Sequence, residues 1–600
     1  MLRLFSKFKP LDWLLIAVLV GVIIVQVYFD VHLPDYSAQL IERLTETNPA
    51  TGMPYTTAYI WRTGGRMAIY AGGSLGASVV AGLLAAYLAA KLGRQIRDDI
   101  FAKVQSFGFE ETGKFSTASL ITRSTNDIGQ VQMVVMMLLR VAISAPITAI
   151  WAIVRINQAS IEITITTAVA IIALMLLLLI VCLFVLPKFR LIQKLTDRLN
   201  AVTRQNLTGI RVVKAYNADK FEEAKFGEIN KQLNSANLFA NTIMGSLFPI
   251  LMLTIQGVNL AIFWIGAYLI NQGSLHFPDL MQFSGLVMQV LMSFIMISML
   301  LVMVPRAQIS ARRISEVLRT KTKITDPIEP KEFDVSKAGE IEFDNVSFKY
   351  PNAENNILEG ISFKVSRGQT AAFIGSTGSG KSTLINLVPR FYDISDGSLK
   401  VSGVEVREAR QEDLRAKIGY VPQKGVLFGG TIESNIGYSG WKLMAGASDG
   451  DYQLGASIKP IEVIKQAAHI AMAEEFIDDL KDGYQSKVSQ GGKNFSGGQK
   501  QRMSIARAVA AEPEIFIFDD SFSALDYKTD REVRARLKKH TKGATCLIVA
   551  QRIGTIMDAD LIVVLEEGKM VGKGTHKELL KSCEAYKEIA LSQLTEEELK

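Results

Sequence analysis

Cysteine is almost missing from this chain. It has three in 600 residues, Cys182, Cys546 and Cys583, and no two share metal-ligand spacing. That excludes a disulfide framework or a cysteine zinc site as the organising feature. Histidine is equally thin, five residues and all dispersed, so no histidine metal centre is expected. Ionisable side chains are rare in six long stretches, 12–30, 67–90, 136–156, 161–186, 245–270 and 283–304. Each is apolar over the about 20 residues that a helix needs to cross a bilayer. Arg140 and Arg155 are read as sitting toward the ends of theirs. Lys and Arg are absent again from the connection 271–282.

What is present divides into two kinds of chain. The whole is 48% hydrophobic yet 21% charged, which fits a membrane part joined to a soluble part. The formal charge of +7 gathers in segments 91–135 and 187–244, where Lys and Arg crowd. The positive-inside rule puts those segments and both termini in the cytosol, on a multi-pass protein of the cytoplasmic membrane in contact with its lipids. The same rule explains the basic balance, so no nucleic-acid partner is expected. Arg43, Arg62 and Arg66 in the first outer loop weaken the contrast. The first stretch follows Arg3, Lys7 and Lys9 but shows no small-x-small site after Phe29, and is read as an uncleaved span.

The long basic segments keep helical periodicity, as in Ile192, Leu195, Leu199 and Val202, so they read as extensions of the spans. Residues 306–338 are polar, carry Pro327 and Pro330, and read as a linker. From Gly339 onward short β-rich runs alternate with helical patterns. The expected architecture is multi-domain. Residues 1–305 form an all-α transmembrane domain of six helices, 306–338 the linker, and 339–600 an α/β P-loop domain.

The strongest motif is Gly375, Ser376, Thr377, Gly378, Ser379, Gly380, Lys381 and Ser382, a G-x-x-x-x-G-K-[ST] phosphate loop. Its glycines let the backbone turn and aim N–H groups at phosphate oxygens. Lys381 adds a point charge and Ser382 a hydroxyl for Mg2+. Residues 370–374 read as the strand before it, and the run from Thr383 to Leu387 as the helix after it, whose N-terminus faces phosphate. Downstream, the apolar strand 515–518 ends in Asp519 and Asp520. A carboxylate there can hold a Mg2+-bound water.

Between these lie Ser496, Gly497, Gly498 and Gln499. With this run the chain resembles the ABC transporter family, whose signature motif is Ser-Gly-Gly-Gln at a helix start. The resemblance is strong over about 340–580. It implies that Tyr350 stacks on adenine, that Gln423 senses magnesium and touches the membrane domain, and that Ser523 to Asp526 form the D-loop. It also implies that Ser496 to Gln499 and Asp526 serve ATP held by the opposite subunit. The membrane part resembles the exporter branch. Residues 115–123 with 125–127 look like its first intracellular loop and 209–216 like its second.

Two positions depart from the family. The residue after the Walker B aspartate is ordinarily glutamate, the base that orients water; here it is Asp520. Its carboxylate sits one methylene short, roughly 1.5 Å, and misplacement of about 1 Å can cost about a hundredfold in rate. The switch position is ordinarily histidine; here it is Gln551, which can hydrogen-bond phosphate but cannot become cationic. Both changes affect hydrolysis and spare binding. The pattern resembles the degenerate-site subunit of heterodimeric bacterial multidrug exporters, with ATP and Mg2+ as ligands and a second half-transporter as partner. A homodimer stays open as the alternative. A third departure is an insert, 441–459, rich in Gly, Ala, Ser and Asp, read as a surface loop.

Met288, Met292, Met296, Met299 and Met303 mark one face of the sixth span. Lipid or helix packing accounts for such a stripe; so does an adaptable wall for varied cargo. The expected activity is ATP-driven export of hydrophobic or amphipathic small molecules. Dedicated carriage of a lipid, peptide or siderophore is the alternative within the fold. An ATP-gated regulatory membrane protein with little hydrolysis is the alternative outside it.

Overall fold

A computed structural model describes residues 7–45, 57–157, 161–351, 353–440, 459–595 and 597–599. The chain divides into two compact units, 1–105 with 116–320, and 106–115 with 321–600. The insert, apart from Lys459, lies outside the described residues.

Among the described residues of the first unit, six helical segments are long and apolar enough to cross a membrane. In chain order the helices are α1 (Pro10–Thr45), α2 (Thr57–Gln105), α3 (Phe109–Lys114, in the second unit), α4 (Thr117–Ser124), α5 (Asn126–Asn157), α6 (Ile161–Thr208), α7 (Ile210–Ala215), α8 (Asp219–Asn271) and α9 (Phe277–Arg319). All six expected spans lie inside them. With 53 residues, α8 is about 80 Å long, far beyond the about 30 Å of hydrocarbon it needs to cross. The basic segments are therefore continuous extensions of the spans. On the extension of α6, Leu195 and Val202 are buried.

Helix packing follows from small and apolar residues at helical spacing. On α2 the buried face is Ala81, Ala85, Leu88, Ala89, Leu92, Ile96 and Ile100, and its alanines allow close backbone approach. The most extensive pairs are α9 on α5, α1 on α2, and α6 on α8. Polar side chains between helices satisfy one another. Arg155 donates to Asp35 Oδ1 at 2.7 Å, and Gln282 to the same oxygen at 2.5 Å. Arg140, exposed, lines a cavity between α1, α5 and α9 with Asp30.

One sequence expectation needs correction. The sequence places the start of the linker at residue 306, but α9 continues to Arg319. The reason is a second apolar face, Ala307, Ala311, Ile314 and Val317, all buried to within 1%, hidden in sequence by interleaved arginines. The run read as the first intracellular loop, 115–123 with 125–127, forms α4 and the start of α5 from residue 116 onward in the first unit. The short helix that packs within the second unit is α3, just upstream, and Phe115 is its C-terminal cap. Its Phe109 ring lies 4.6 Å from Phe391 and 6.0 Å from Tyr392. Glu111 caps Gly108 N–H at 3.0 Å and accepts from Lys323 N–H at 3.1 Å.

The second unit has two main sheets. Strands β1 (Ile341–Phe348), β2 (Leu358–Val365), β4 (Asp396–Val401) and β5 (Val404–Glu405) form an antiparallel sheet in the order β2-β1-β4-β5. Strands β3 (Thr370–Gly375), β6 (Ile418–Val421), β9 (Ile515–Asp519), β10 (Thr545–Val549), β11 (Leu561–Glu566) and β12 (Lys569–Gly574) form the other, ordered β12-β11-β3-β10-β9-β6. It is parallel except for β12. Register aligns the ends that matter: Val549 pairs with both Phe373 and Asp519. Three loops therefore leave one sheet edge side by side, at the carboxyl ends of parallel strands where α/β folds gather ligands. Phe363, Phe373, Leu384, Ile517 and Leu547 belong to the core between the two sheets. A second core carries the helical region around Ile464, Phe476 and Met503.

Candidate nucleotide-binding site

The loop after β3 needs glycine for geometric reasons. Gly380 has φ +94, and a Cβ there would lie 2.7 Å from the Leu358 side chain. At Gly375 a Cβ would lie 1.9 Å from the Leu565 carbonyl oxygen. The next helix, Lys381–Leu387, opens directly from Gly380. Lys381 Nζ donates to Gly375 O at 2.9 Å, Ser376 O at 2.7 Å and Ser379 Oγ at 3.3 Å. Burial pushes its pKa down, against Asp520 and Asp519, which pull it up. Tyr350 reaches the same helix, its hydroxyl 3.0 Å from Thr383 Oγ1, with its ring edge-on to Tyr392.

Ser382 Oγ donates to Asp519 Oδ1 at 2.7 Å. Burial pushes the Asp519 carboxyl above its ordinary range, and the Ser382 bond only partly offsets this. A hydroxyl and a buried carboxylate in contact make a hard oxygen donor pair, which fits Mg2+. Asp520 follows in a left-handed conformation, φ +46, which aspartate tolerates better than most residues. Its Oδ2 accepts from Gln551 Nε2 at 2.8 Å and from Gln423 Nε2 at 3.3 Å. The three residues read from separate motifs therefore meet at one carboxylate oxygen.

The signature run opens the helix Gly497–Ala510. Ser496 Oγ accepts from Gln499 N–H at 3.2 Å, and Gln499 Oε1 accepts from Ser496 N–H at 2.9 Å. This reciprocal cap leaves the Gly497 and Gly498 N–H groups at the positive helix end. Asp526 caps the helix Tyr527–His540 by accepting from Thr529 N–H at 3.0 Å, and that bond holds its carboxyl below the ordinary range. Within this unit the D-loop meets the cluster at its first residue, where Ser523 Oγ donates to the Asp520 carbonyl oxygen at 2.8 Å.

Three positioning residues escape the motif reading. Gln501 Nε2 donates to Pro422 O at 3.0 Å and Ser521 Oγ to Val421 O at 2.9 Å. Together they fix the strand end that presents Gln423. Gln593 bonds the backbone on both sides of Arg552. The Gln501 position, inside the signature helix and on its buried side, is findable in principle; Gln593 has no local motif.

The family pattern described as ABC transporter matches residues 358–523, and that described as ABC transporter transmembrane region matches 13–319. The chain belongs to the ABC transporter family. This ABC transporter is 36% identical over 583 residues to an uncharacterized ABC transporter ATP-binding protein of Mycobacterium tuberculosis, covering 96% of each. It is 34% identical over 401 residues to a probable multidrug resistance ABC transporter ATP-binding/permease protein, YheI, of Bacillus subtilis, covering 67% of this chain and 66% of the relative. A solved structure of a bacterial Atm1-family ABC exporter with ATP bound superposes with TM-score 0.77 at 24% identity, covering 97% of this chain and 99% of that one. The exporter-type fold is thereby shown, on a multi-pass membrane protein.

Proposed function

We propose that this chain is the degenerate-site subunit of a heterodimeric exporter of hydrophobic or amphipathic compounds. The observation that carries the reading is the Gln551–Asp520 hydrogen bond, 2.8 Å. A carboxylate that accepts from two amides has its oxygen engaged by donors that cannot take up a proton. Gln551 and Gln423 therefore occupy the Asp520 oxygen that a base would turn toward the attacking water.

Binding parts remain intact. Tyr350 stacks on adenine. Residues 375–383 hold the phosphates, and Ser382, Gln423 and Asp519 hold Mg2+, which when bound neutralises phosphate charge. Ser496 to Gln499 and Asp526 complete the hydrolytic site of a partner chain that carries glutamate and histidine. The helices α3 and α7 transmit cassette closure to the spans, which alternate access between the two sides of the cytoplasmic membrane. Both termini and the cassette lie in the cytosol.

Amphipathic cargo is supported by the cavity of about 660 Å3 whose wall includes Met136, Met137, Met292, Met296, Asp30 and Arg140. Methionines adapt to varied apolar shapes. Arg140, bonded to Ser78 Oγ at 3.1 Å, offers a cation within that wall. Charge inside a span is expensive and marks a pathway.

The test is photolabelling of the assembled complex with 8-azido-ATP and Mg2+. Unhydrolysed triphosphate retained on this chain supports the reading; diphosphate on this chain contradicts it.

A further inference from the structure

The last described residues of the cassette are attached to its switch loop. Helices His576–Ser582 and Glu584–Leu591 are followed by a turn that carries Gln593. Both ends of the Gln593 side-chain amide are engaged. Its Nε2 donates to Gln551 O at 2.8 Å, and its Oε1 accepts from Ile553 N–H at 2.9 Å. A primary amide that pairs with a carbonyl and an N–H two residues apart fixes the backbone between them, as a neighbouring strand does.

The tether itself is anchored. Tyr586, wholly buried, packs in one cluster with Ile553 and Ile556. Its hydroxyl lies 2.6 Å from His576 Nδ1, and His576 Nε2 lies 3.2 Å from Leu599 O. The carbonyl only accepts, so Nε2–H donates to it, and the ring bridges the Tyr586 hydroxyl to the Leu599 backbone. Burial pushes Tyr586 up to about 12, which keeps its hydroxyl protonated.

We infer that Gln593 is a positioning residue, and that the segment 584–595 sets the switch loop so that the Gln551 amide sits on Asp520. A displacement of this terminal segment, by truncation or by a partner bound to it, then loosens the Asp520 cluster without touching the nucleotide. The inference goes beyond the assignment of a degenerate site. Its nucleotide readout rests on ATP binding at that pocket; its exchange readout does not.

The variant is Gln593→Met in the full-length chain, which keeps length and packing and removes both hydrogen bonds. Hydrogen exchange is read on a peptide spanning 550–556. The expected result is roughly tenfold faster exchange there, with β3 and β9 unchanged. Release of mant-ATP is read beside it, in wild type and in a Gln551→Ala background. Gln593→Met should speed release several-fold in wild type and add nothing when Gln551 is already gone. Unchanged exchange over 550–556 overturns the inference whether or not the chain binds mant-ATP. An equal effect of Gln593→Met with and without Gln551 also overturns it, since Gln593 would then act by another route. Failure of wild type to bind mant-ATP counts against the pocket reading, and the exchange measurement still decides for or against Gln593.

Discussion

Gln551 Nε2 donates to Asp520 Oδ2 at 2.8 Å, joining the two positions at which this chain departs from its family. Each departure fits the other. A hydrogen bond to a charged acceptor contributes about 1.5–3 kcal/mol, so each side chain holds the other in place. Asp520→Glu with Gln551→His restores the family pattern. In the complex with its partner, total hydrolysis should rise at most about twofold, because one competent site joins another. A phosphate-release assay checks this; a rise of an order of magnitude would mean the partner site is not the main one.

Asp519 supplies a prediction with a sign. Burial raises its carboxyl, so the folded chain takes up this proton before the unfolded chain does. On its account stability rises as pH falls from neutral toward the ordinary carboxylate range, and is lost as pH climbs through the raised value. Asp519→Asn mimics the protonated group. The thermal midpoint of nucleotide-free protein at neutral pH should rise, while stabilisation by Mg2+ with ATP disappears. Differential scanning fluorimetry with and without Mg2+ reads both. In wild type the Mg2+-dependent gain should shrink as pH drops.

Phe109 tests transmission. Its ring meets Phe391 and Tyr392 within the second unit, and such aromatic contacts are worth about 0.5–1.5 kcal/mol each. Phe109→Ala should leave mant-ATP binding within about twofold and reduce cargo-stimulated ATP turnover by about five- to tenfold. Equal loss of basal and stimulated turnover would assign the helix a merely structural role.

Arg140 tests the cargo wall. Arg140→Gln keeps a donor for Ser78 and removes the charge. Export of anionic amphiphiles should fall about tenfold and that of neutral dyes should change little, if the guanidinium meets the cargo in a low-dielectric wall. Dye efflux from inverted vesicles separates the two classes.

The sequence is most legible where structure is locally written. Hydropathy locates every span, because a run of about 20 apolar residues matches the thickness of a bilayer and exceeds what an ordinary core helix buries. The phosphate loop and the strand ending in Asp519 are readable because backbone turn, strand and charge lie within a few residues. The extension of α9 is hidden because Ala307, Ala311, Ile314 and Val317 are separated by polar residues and resemble a linker until their shared face is buried. Helix α3 is not marked by any motif, since its aromatic anchor Phe109 precedes the run 115–127 that carries the family resemblance. Gln593 is invisible because its partners lie 40 and 42 residues away, and only the packing of Tyr586 brings them together.

The central claim is that this pocket keeps ATP better than it splits it. Steady-state turnover by the purified full-length chain alone, at saturating ATP and Mg2+, addresses it most directly. Saturable mant-ATP binding is expected together with turnover well below one per second, at least a hundredfold under a common enzyme rate of about 10 per second. Turnover near that common rate by the chain alone would contradict it, since Asp520 and Gln551 would then be serving a working site.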